Sequence, residues 1–241
     1  MDGVCIMAKV TVGWAPYLDT EYAKGLAFFI TKPLSVFDSR MRTGNHRYRL
    51  CPATRDLARN TFVVTAPFDA HFYLDADKRT IEFAGTGKQA FEFFNMRAEQ
   101  YGPTDQPIMS INYYQLFVSQ HDQVEMTMTA PWFEDSVAAF KIVPGRFNIG
   151  KWWRPLDVAM QLPERQQEIK IKQGDVLFYV TFSTGNSDDV VVLREIAVTK
   201  ELQNFCNLAT GVKHYKPQCP FKTLYGWFKQ FKHKPKLEFI D

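Results

Sequence analysis

The residues best suited to bind a metal lie near the end of the chain. Cys206, His214 and Cys219 offer two thiols and one imidazole, which are donors that zinc prefers. Seven residues and then four separate them, a spacing that matches no standard zinc finger, and a structural zinc would need a fourth ligand. None of the five histidines stands in an H-x-H, H-x-D or H-E-x-x-H pattern. The sequence therefore predicts no cofactor, with these three residues as the candidate ligands if a metal binds.

Four polar side chains are candidates for a small-molecule pocket. His71 and Tyr73 fall on the polar face of an alternating segment, and His121 and Glu125 flank the turn that leads into another alternating segment. Imidazole, phenol and carboxylate groups can exchange protons with a bound ligand. If the strands enclose these groups, the protein is a small-molecule enzyme or sensor with a jelly-roll, cupin-like pocket.

No complete catalytic motif accompanies these residues. The chain has no Gly-x-Ser-x-Gly nucleophile elbow, and no cysteine stands in a local sequence typical of a catalytic thiol. The sequence therefore favours a binding role over catalysis and leaves the enzyme question open.

The tetrapeptide Trp152-Trp153-Arg154-Pro155 and the nearby Trp132 are candidates for an interaction surface. Tryptophan and arginine are enriched where proteins bind other molecules. Because neighbouring residues of a strand point to opposite faces, we expect at most one of Trp152 and Trp153 in the core. The other tryptophan, together with Arg154 and Trp132, is predicted to meet a partner.

The elements that position these residues are mainly strands. Short β-branched and aromatic runs alternate with turn formers along the middle of the chain. This pattern predicts a jelly roll or β-sandwich of antiparallel sheets. The predicted strands are 61–65, 68–75, 80–83, 108–119, 124–129, 139–143, 156–162, 168–172, 176–183 and 190–198.

The end of the chain has a helical and basic pattern. Apolar residues recur at helical spacing from Thr199 to about Thr210 and again from Pro220. Residues 198–241 carry eight lysines against three acidic residues. We therefore predict one domain over residues 1–241, with a β core at about 47–198 and a helical basic appendage at 199–241. The basic charge makes nucleic-acid binding one alternative function.

Composition narrows the class of protein. A hydrophobic content of 46% and an aromatic content of 15% exclude a disordered chain. No run approaches the roughly 18 apolar residues that a membrane span needs, so we expect no membrane partner. Four cysteines without an Asn-x-Ser/Thr sequon favour free thiols in a reducing compartment.

Several distinctive phrases lie within residues 47–195: Leu50-Cys51-Pro52-Ala53, Asn60-Thr61-Phe62-Val63-Val64, Pro67-Phe68-Asp69, Thr129-Ala130-Pro131-Trp132-Phe133, 144–155 and 171–180. These phrases resemble uncharacterised proteins of tailed phages that infect marine cyanobacteria. The resemblance implies a phage protein located in the host cytoplasm or the virion, and it implies no activity. A looser similarity links the last phrase, a strand, a Gly-Asp turn and a strand, to cupin-like and dUTPase-like β folds.

Together these observations favour a non-enzymatic protein that acts by macromolecular interaction. The expected partner is another protein or a second copy of the chain, either within the virion or in modulation of a host protein. The small-molecule pocket and the basic nucleic-acid surface are the two alternatives.

Overall fold

A computed structural model describes residues 8–17, 30–41, 51–75, 80–84, 97–100, 107–134, 140–161, 166–215, 219–231 and 233–240. The helices of these residues are α1 (Pro52–Arg59), α2 (Lys200–Tyr215) and α3 (Phe221–Phe231), with a π-helical turn at Phe37–Met41. The strands are β1 (Lys9–Pro16), β2 (Leu34–Ser35), β3 (Thr61–Thr65), β4 (Ala70–Asp75), β5 (Thr80–Phe83), β6 (Arg97–Gln100), β7 (Pro107–Val118), β8 (Glu125–Thr129), β9 (Lys141–Ile142), β10 (Gly145–Asn148), β11 (Pro155–Gln161), β12 (Gln166–Ile171), β13 (Val176–Ser183) and β14 (Val190–Glu195).

The strands form three sheets. The first has the order β14-β1-β7-β11-β9, with β6 also paired to β7, the second has the order β10-β8-β13-β3-β2, and the third has the order β12-β4-β5. Every described pairing is antiparallel except that of β1 with β14. Parallel neighbours need a long connection, and here most of the chain separates the two strands. The prediction of antiparallel sheets is confirmed, and the pair of β1 with β14 is the parallel exception among the described pairings.

One apolar core joins the sheets face to face. Alternate residues of β11, Leu156, Val158 and Met160, are buried, as the two-residue period of a strand requires. They share this core with Met126 of the second sheet and Phe72 of the third. The prediction of a mainly β fold of sandwich type is confirmed.

The helical C-terminal region covers the opposite face of the first sheet. Along β7, Phe117 points into the sandwich core, whereas Leu116 and Val118 belong to a second apolar cluster. The first sheet is therefore buried on both faces. The helices contribute to this cluster through Leu202, Phe205, Cys206, Ala209, Leu224 and Phe228.

No helix among the described residues is both long enough and apolar enough to cross a membrane.

Candidate functional site

The structure corrects the predicted interaction surface at the paired tryptophans. Trp152 is 2% exposed and Trp153 is 0% exposed, so both belong to the interior. Their Nε1 atoms donate to backbone carbonyls, from Trp152 to Ala209 at 3.2 Å and from Trp153 to Ser119 at 3.2 Å. The expectation that one of them is exposed was wrong. The pair precedes β11 in an irregular segment, where strand alternation does not apply, and the helices cover this side of the sheet.

Arg154 is buried beside the two tryptophans and is therefore not part of an exposed surface. Its Nη1 donates to Asp157 Oδ2 at 2.5 Å, and its guanidinium lies 4.9 Å from the ring centre of Trp152. Trp132 is the member of the predicted surface that is exposed, at 38%. Its ring packs edge-on against Tyr179, with ring centres 5.5 Å apart.

The four predicted pocket residues fall at two places. His71 and Tyr73 lie on β4 of the third sheet, next to Lys170 and Glu168 of β12 in the sheet register. Glu168 Oε1 lies 2.7 Å from His71 Nε2, 2.9 Å from Lys170 Nζ and 2.9 Å from the Tyr73 hydroxyl, which donates to it. We call these four residues the Glu168 cluster.

Charge and hydrogen bonding stabilise the ionised form of Glu168. Hydrogen bonds from Lys170, His71 and Tyr73 lower the pKa of Glu168 to about 2. The hydrogen bond between Lys170 and Glu168 also raises the pKa of Lys170. Because Glu168 also accepts from Tyr73, the phenol keeps its proton and the pKa of Tyr73 rises. The Glu168 cluster is thus an ordered polar patch on an exposed sheet face.

Replacing Glu168 with glutamine is expected to lower the stability of the protein in a way that depends on pH. The folded pKa of about 2 lies below the ordinary value of 4.5, so the carboxylate stabilises the fold above pH 4.5 and this contribution disappears as pH falls towards 2. The free energy of unfolding of wild type and E168Q, measured by urea from pH 7 down to pH 2, should differ most at neutral pH and converge in acid.

Glu82 provides the matched control for this experiment. It lies exposed on the neighbouring strand β5, and no hydrogen bond or ion pair of its carboxylate is described. E82Q should therefore follow the wild-type curve across the pH range. A constant difference between E168Q and wild type from pH 7 to pH 2 contradicts the hydrogen-bonded role of Glu168.

His121 and Glu125 lie in a different part of the fold from the Glu168 cluster. His121 is exposed in the turn before β8, and Glu125 begins β8 in the second sheet, where its carboxylate pairs with Arg146. The structure therefore does not bring the four predicted pocket residues into one site.

The candidate metal ligands are not grouped in the described residues. Among those residues, no cluster of three or more His, Cys, Asp or Glu side chains is placed to hold a metal. Cys206 is fully buried in the helical cluster, and this burial raises the pKa of its thiol. Cys219 packs against the same cluster, and the side chain of His214 lies outside the described part of the structure.

A cavity of about 590 Å³ lies where α2, α3 and the end of the chain meet the turn before β8. Most of its wall is apolar, and its charged groups are mainly basic. We call it the basic pocket. Its lining residues are Asp122, Lys151, Phe205, Lys222, Tyr225, Gly226, Phe228, Lys229, His233 and Lys234.

Two turns build one wall of the basic pocket. The turn at residues 119–124 packs on the turn at residues 148–151, since Ser119 N–H donates to Ile149 O at 3.1 Å and Gly150 N–H donates to Val124 O at 3.3 Å. The side-chain amide of Asn148 adds a bond to Asp122 O at 2.8 Å. These bonds fix the positions from which Asp122 and the neighbouring Lys151 reach the cavity.

The last residues of the chain close the same wall. Gln120 Nε2 donates to Pro235 O at 2.7 Å, and Lys234 Nζ donates to Gln120 O at 3.1 Å. Lys234 also forms an ion pair with Asp122. Leu237 is buried in the helical cluster and holds this segment against the sheet.

The positive groups act together on the single carboxylate of the pocket lining. The pKa of Asp122 is lowered, chiefly by its hydrogen bond with Lys234 and further by the charges of Lys151 and Lys229. One carboxylate opposes four lysines and His233 around the cavity. The site therefore has an excess of positive charge beside an apolar wall, which suits an anion that carries an apolar body.

Sequence reasoning identified only part of this site. It noted the lysines of the C-terminal helix as a basic surface, and the structure places Lys222 and Lys229 of that helix at the cavity. Lys151 and Asp122 come from turns that are distant in sequence from α3. No local motif links these turns with the helix, so their convergence depends on the tertiary fold.

A second and larger cavity, of about 1020 Å³, lies between β14, β2 and α1. Its lining includes Lys32, Arg55, Arg59, Val191 and Leu193. Residues 18–29 and 42–50 adjoin this region in sequence and lie outside the described residues.

A scan against protein-family models, a search of curated proteins and a search of solved structures each found no match for this chain.

Proposed function

We propose that the protein is a binding protein whose basic pocket holds a small anionic ligand with an apolar body. The observation that carries this proposal is the lining of the cavity, where four lysines and His233 face one carboxylate beside the aromatic side chains Phe205, Tyr225 and Phe228.

The volume of the cavity favours a small molecule over a polymer. Ligand pockets for small molecules measure roughly 300 to 1,000 Å³, and the basic pocket has about 590 Å³. A strand of nucleic acid needs a groove that continues past each binding position. Three lysines of the basic C-terminal region, Lys222, Lys229 and Lys234, line this cavity, whose size suits a single ligand.

Two of the four lysines that line the basic pocket are available to bind an anionic ligand. Lys234 is already paired with Asp122, whereas Lys222 and Lys229 are exposed on α3. Neither of these two exposed lysines has a described ion pair. Their charges are available to an incoming anion, and the neighbouring apolar wall favours the non-polar part of the same molecule.

A charge reversal at Lys229 is expected to weaken binding of an anionic aromatic probe. Anilinonaphthalene sulfonate has the required charge and body, and its fluorescence reports binding to the folded protein. Reversing one contacting charge should raise the dissociation constant by about tenfold or more, and wild-type affinity should fall as salt is added.

Lys200 supplies the matched control. It is exposed in the first turn of α2 and does not line the cavity. K200E changes the net charge by the same amount as K229E, so its affinity for the probe should stay at the wild-type value. Equal binding by K229E and K200E, with both variants folded by urea unfolding, overturns the proposed site.

The macromolecular partner expected from the sequence stays a prediction, as do the phage origin and a location in the virion or host cytoplasm. Trp132 is the exposed residue of the surface that was predicted to meet such a partner.

A further inference from the structure

The wall of the basic pocket contains a gap on α3. Gly226 lies in the middle of this helix and lines the cavity, and a Cβ atom added there would meet no heavy atom within 4 Å. Glycine in a helix interior costs about 1 kcal/mol relative to alanine. The absent side chain leaves the helix backbone open to a molecule inside the cavity.

Two lysines flank this gap on the same face of the helix. Lys222 precedes Gly226 by four residues and Lys229 follows it by three, so all three positions lie along one stripe of α3. Lys151 and Lys234 line the cavity as well, from segments outside α3. An anionic group resting on Gly226 would have a lysine on either side along the helix.

The charge of the site favours a group with more than one negative charge. Two exposed lysines flank the gap, and one carboxylate, Asp122, lies in the lining and is already paired with Lys234. A phosphomonoester is close to doubly charged at neutral pH and offers three acceptor oxygens. A ligand with one carboxylate would neutralise only one of the two positive charges of Lys222 and Lys229.

We propose that the ligand of the basic pocket is an organic phosphomonoester whose phosphate lies on Gly226 between Lys222 and Lys229. Its non-polar body lies against Phe205, Tyr225 and Phe228. This inference rests on the proposed function, since it assigns the chemical class and the position of the anion in that same pocket. The body is either a planar base or an aliphatic chain, and the phosphate is the chemistry that these two kinds of ligand share.

Binding of two phosphomonoesters and their phosphate-free partners tests the class of ligand. Adenosine monophosphate is compared with adenosine, and octyl phosphate with octanol, by calorimetric titration of the full chain. At least one phosphate should bind about tenfold or more tightly than its partner. The stronger of the two phosphates identifies a planar or an aliphatic body. Equal affinity within both pairs overturns the inference.

A glutamine at Gly226 tests the position of the phosphate. G226Q fills the gap with a neutral side chain that favours a helix, so the variant should remain folded and should lose about tenfold or more in affinity for the phosphate. G211Q is the control, because Gly211 lies in α2, has the same open surroundings and does not line the pocket.

The variants separate the two proposals. If K229E weakens binding of anilinonaphthalene sulfonate while G226Q keeps wild-type affinity for the phosphomonoester, the anion site stands and its placement on Gly226 is overturned. If K229E binds anilinonaphthalene sulfonate like wild type and G226Q binds the phosphomonoester like wild type, both the placement on Gly226 and the proposed function are overturned.

Discussion

Substitution of alanine for Gly150 is expected to destabilise the protein by roughly 3 kcal/mol or more. A Cβ atom at this position would lie 1.9 Å from the carbonyl oxygen of His121 and 2.9 Å from the Cα of Asp122. Both neighbours are backbone atoms, so neither can rotate away as a side chain does. To relieve this steric clash, the turns at residues 119–124 and 148–151 must separate. Their separation breaks the hydrogen bonds between them.

Urea unfolding of G150A beside G211A measures this effect. A Cβ at Gly211 meets nothing within 4 Å, so G211A should be neutral or more stable by up to about 1 kcal/mol because alanine favours a helix. G150A should also bind anilinonaphthalene sulfonate less tightly, since Asp122 and Lys151 leave their places at the pocket. A G150A variant within about 1 kcal/mol of wild type would show that these turns do not pack as described.

Truncation of Trp153 to alanine is the other change with a large expected effect. The side chain is 0% exposed, and its Nε1 donates to the carbonyl oxygen of Ser119 at 3.2 Å. Loss of a buried aromatic ring costs about 3 to 5 kcal/mol, and the Ser119 carbonyl is left without this donor. The ring also packs on Phe205, so α2 loses part of its contact with the sheet.

A graded series distinguishes packing from hydrogen bonding at Trp153. W153F keeps an aromatic ring and should lose about half as much stability as W153A. W227A is the control, because Trp227 on α3 is 36% exposed and its loss should cost about 1 kcal/mol or less. Stability of W153A close to that of W227A would contradict the interior position of Trp153.

The strands of the sandwich were largely predictable because their residues alternate locally. The prediction of strands at 61–65 and 176–183 agrees with β3 and β13. Strand β8 differs from its predicted bounds by one residue at its start, and β11 is shifted by one residue at each end. The helical spacing after Thr199 and after Pro220 likewise corresponds to α2 and α3. Periods of two and of 3.6 residues are local properties, so the sequence carries them directly.

Most of the elements that escaped this reasoning lack a readable period. Helix α1, Pro52–Arg59, has one buried residue, Ala58, and therefore little apolar pattern to read. Strands β2, β6 and β10 are too short to show a period. Strand β1 was missed although Val10, Val12 and Trp14 alternate into the core. The pairing of β1 with β14 joins Lys9 to Val190, and no local pattern specifies a partner so distant in sequence.

The class of fold and the presence of a basic, aromatic helix near the end of the chain follow from local sequence patterns alone. The burial of Trp152 and Trp153 follows only from the packing of the chain, because the pair lies in an irregular segment before β11 and both rings pack in the cluster that the C-terminal helices form on this sheet. The basic pocket likewise depends on the tertiary fold. Lys151, Lys229 and Lys234 come from a turn, a helix and the terminal segment, and only packing brings their charges to one cavity.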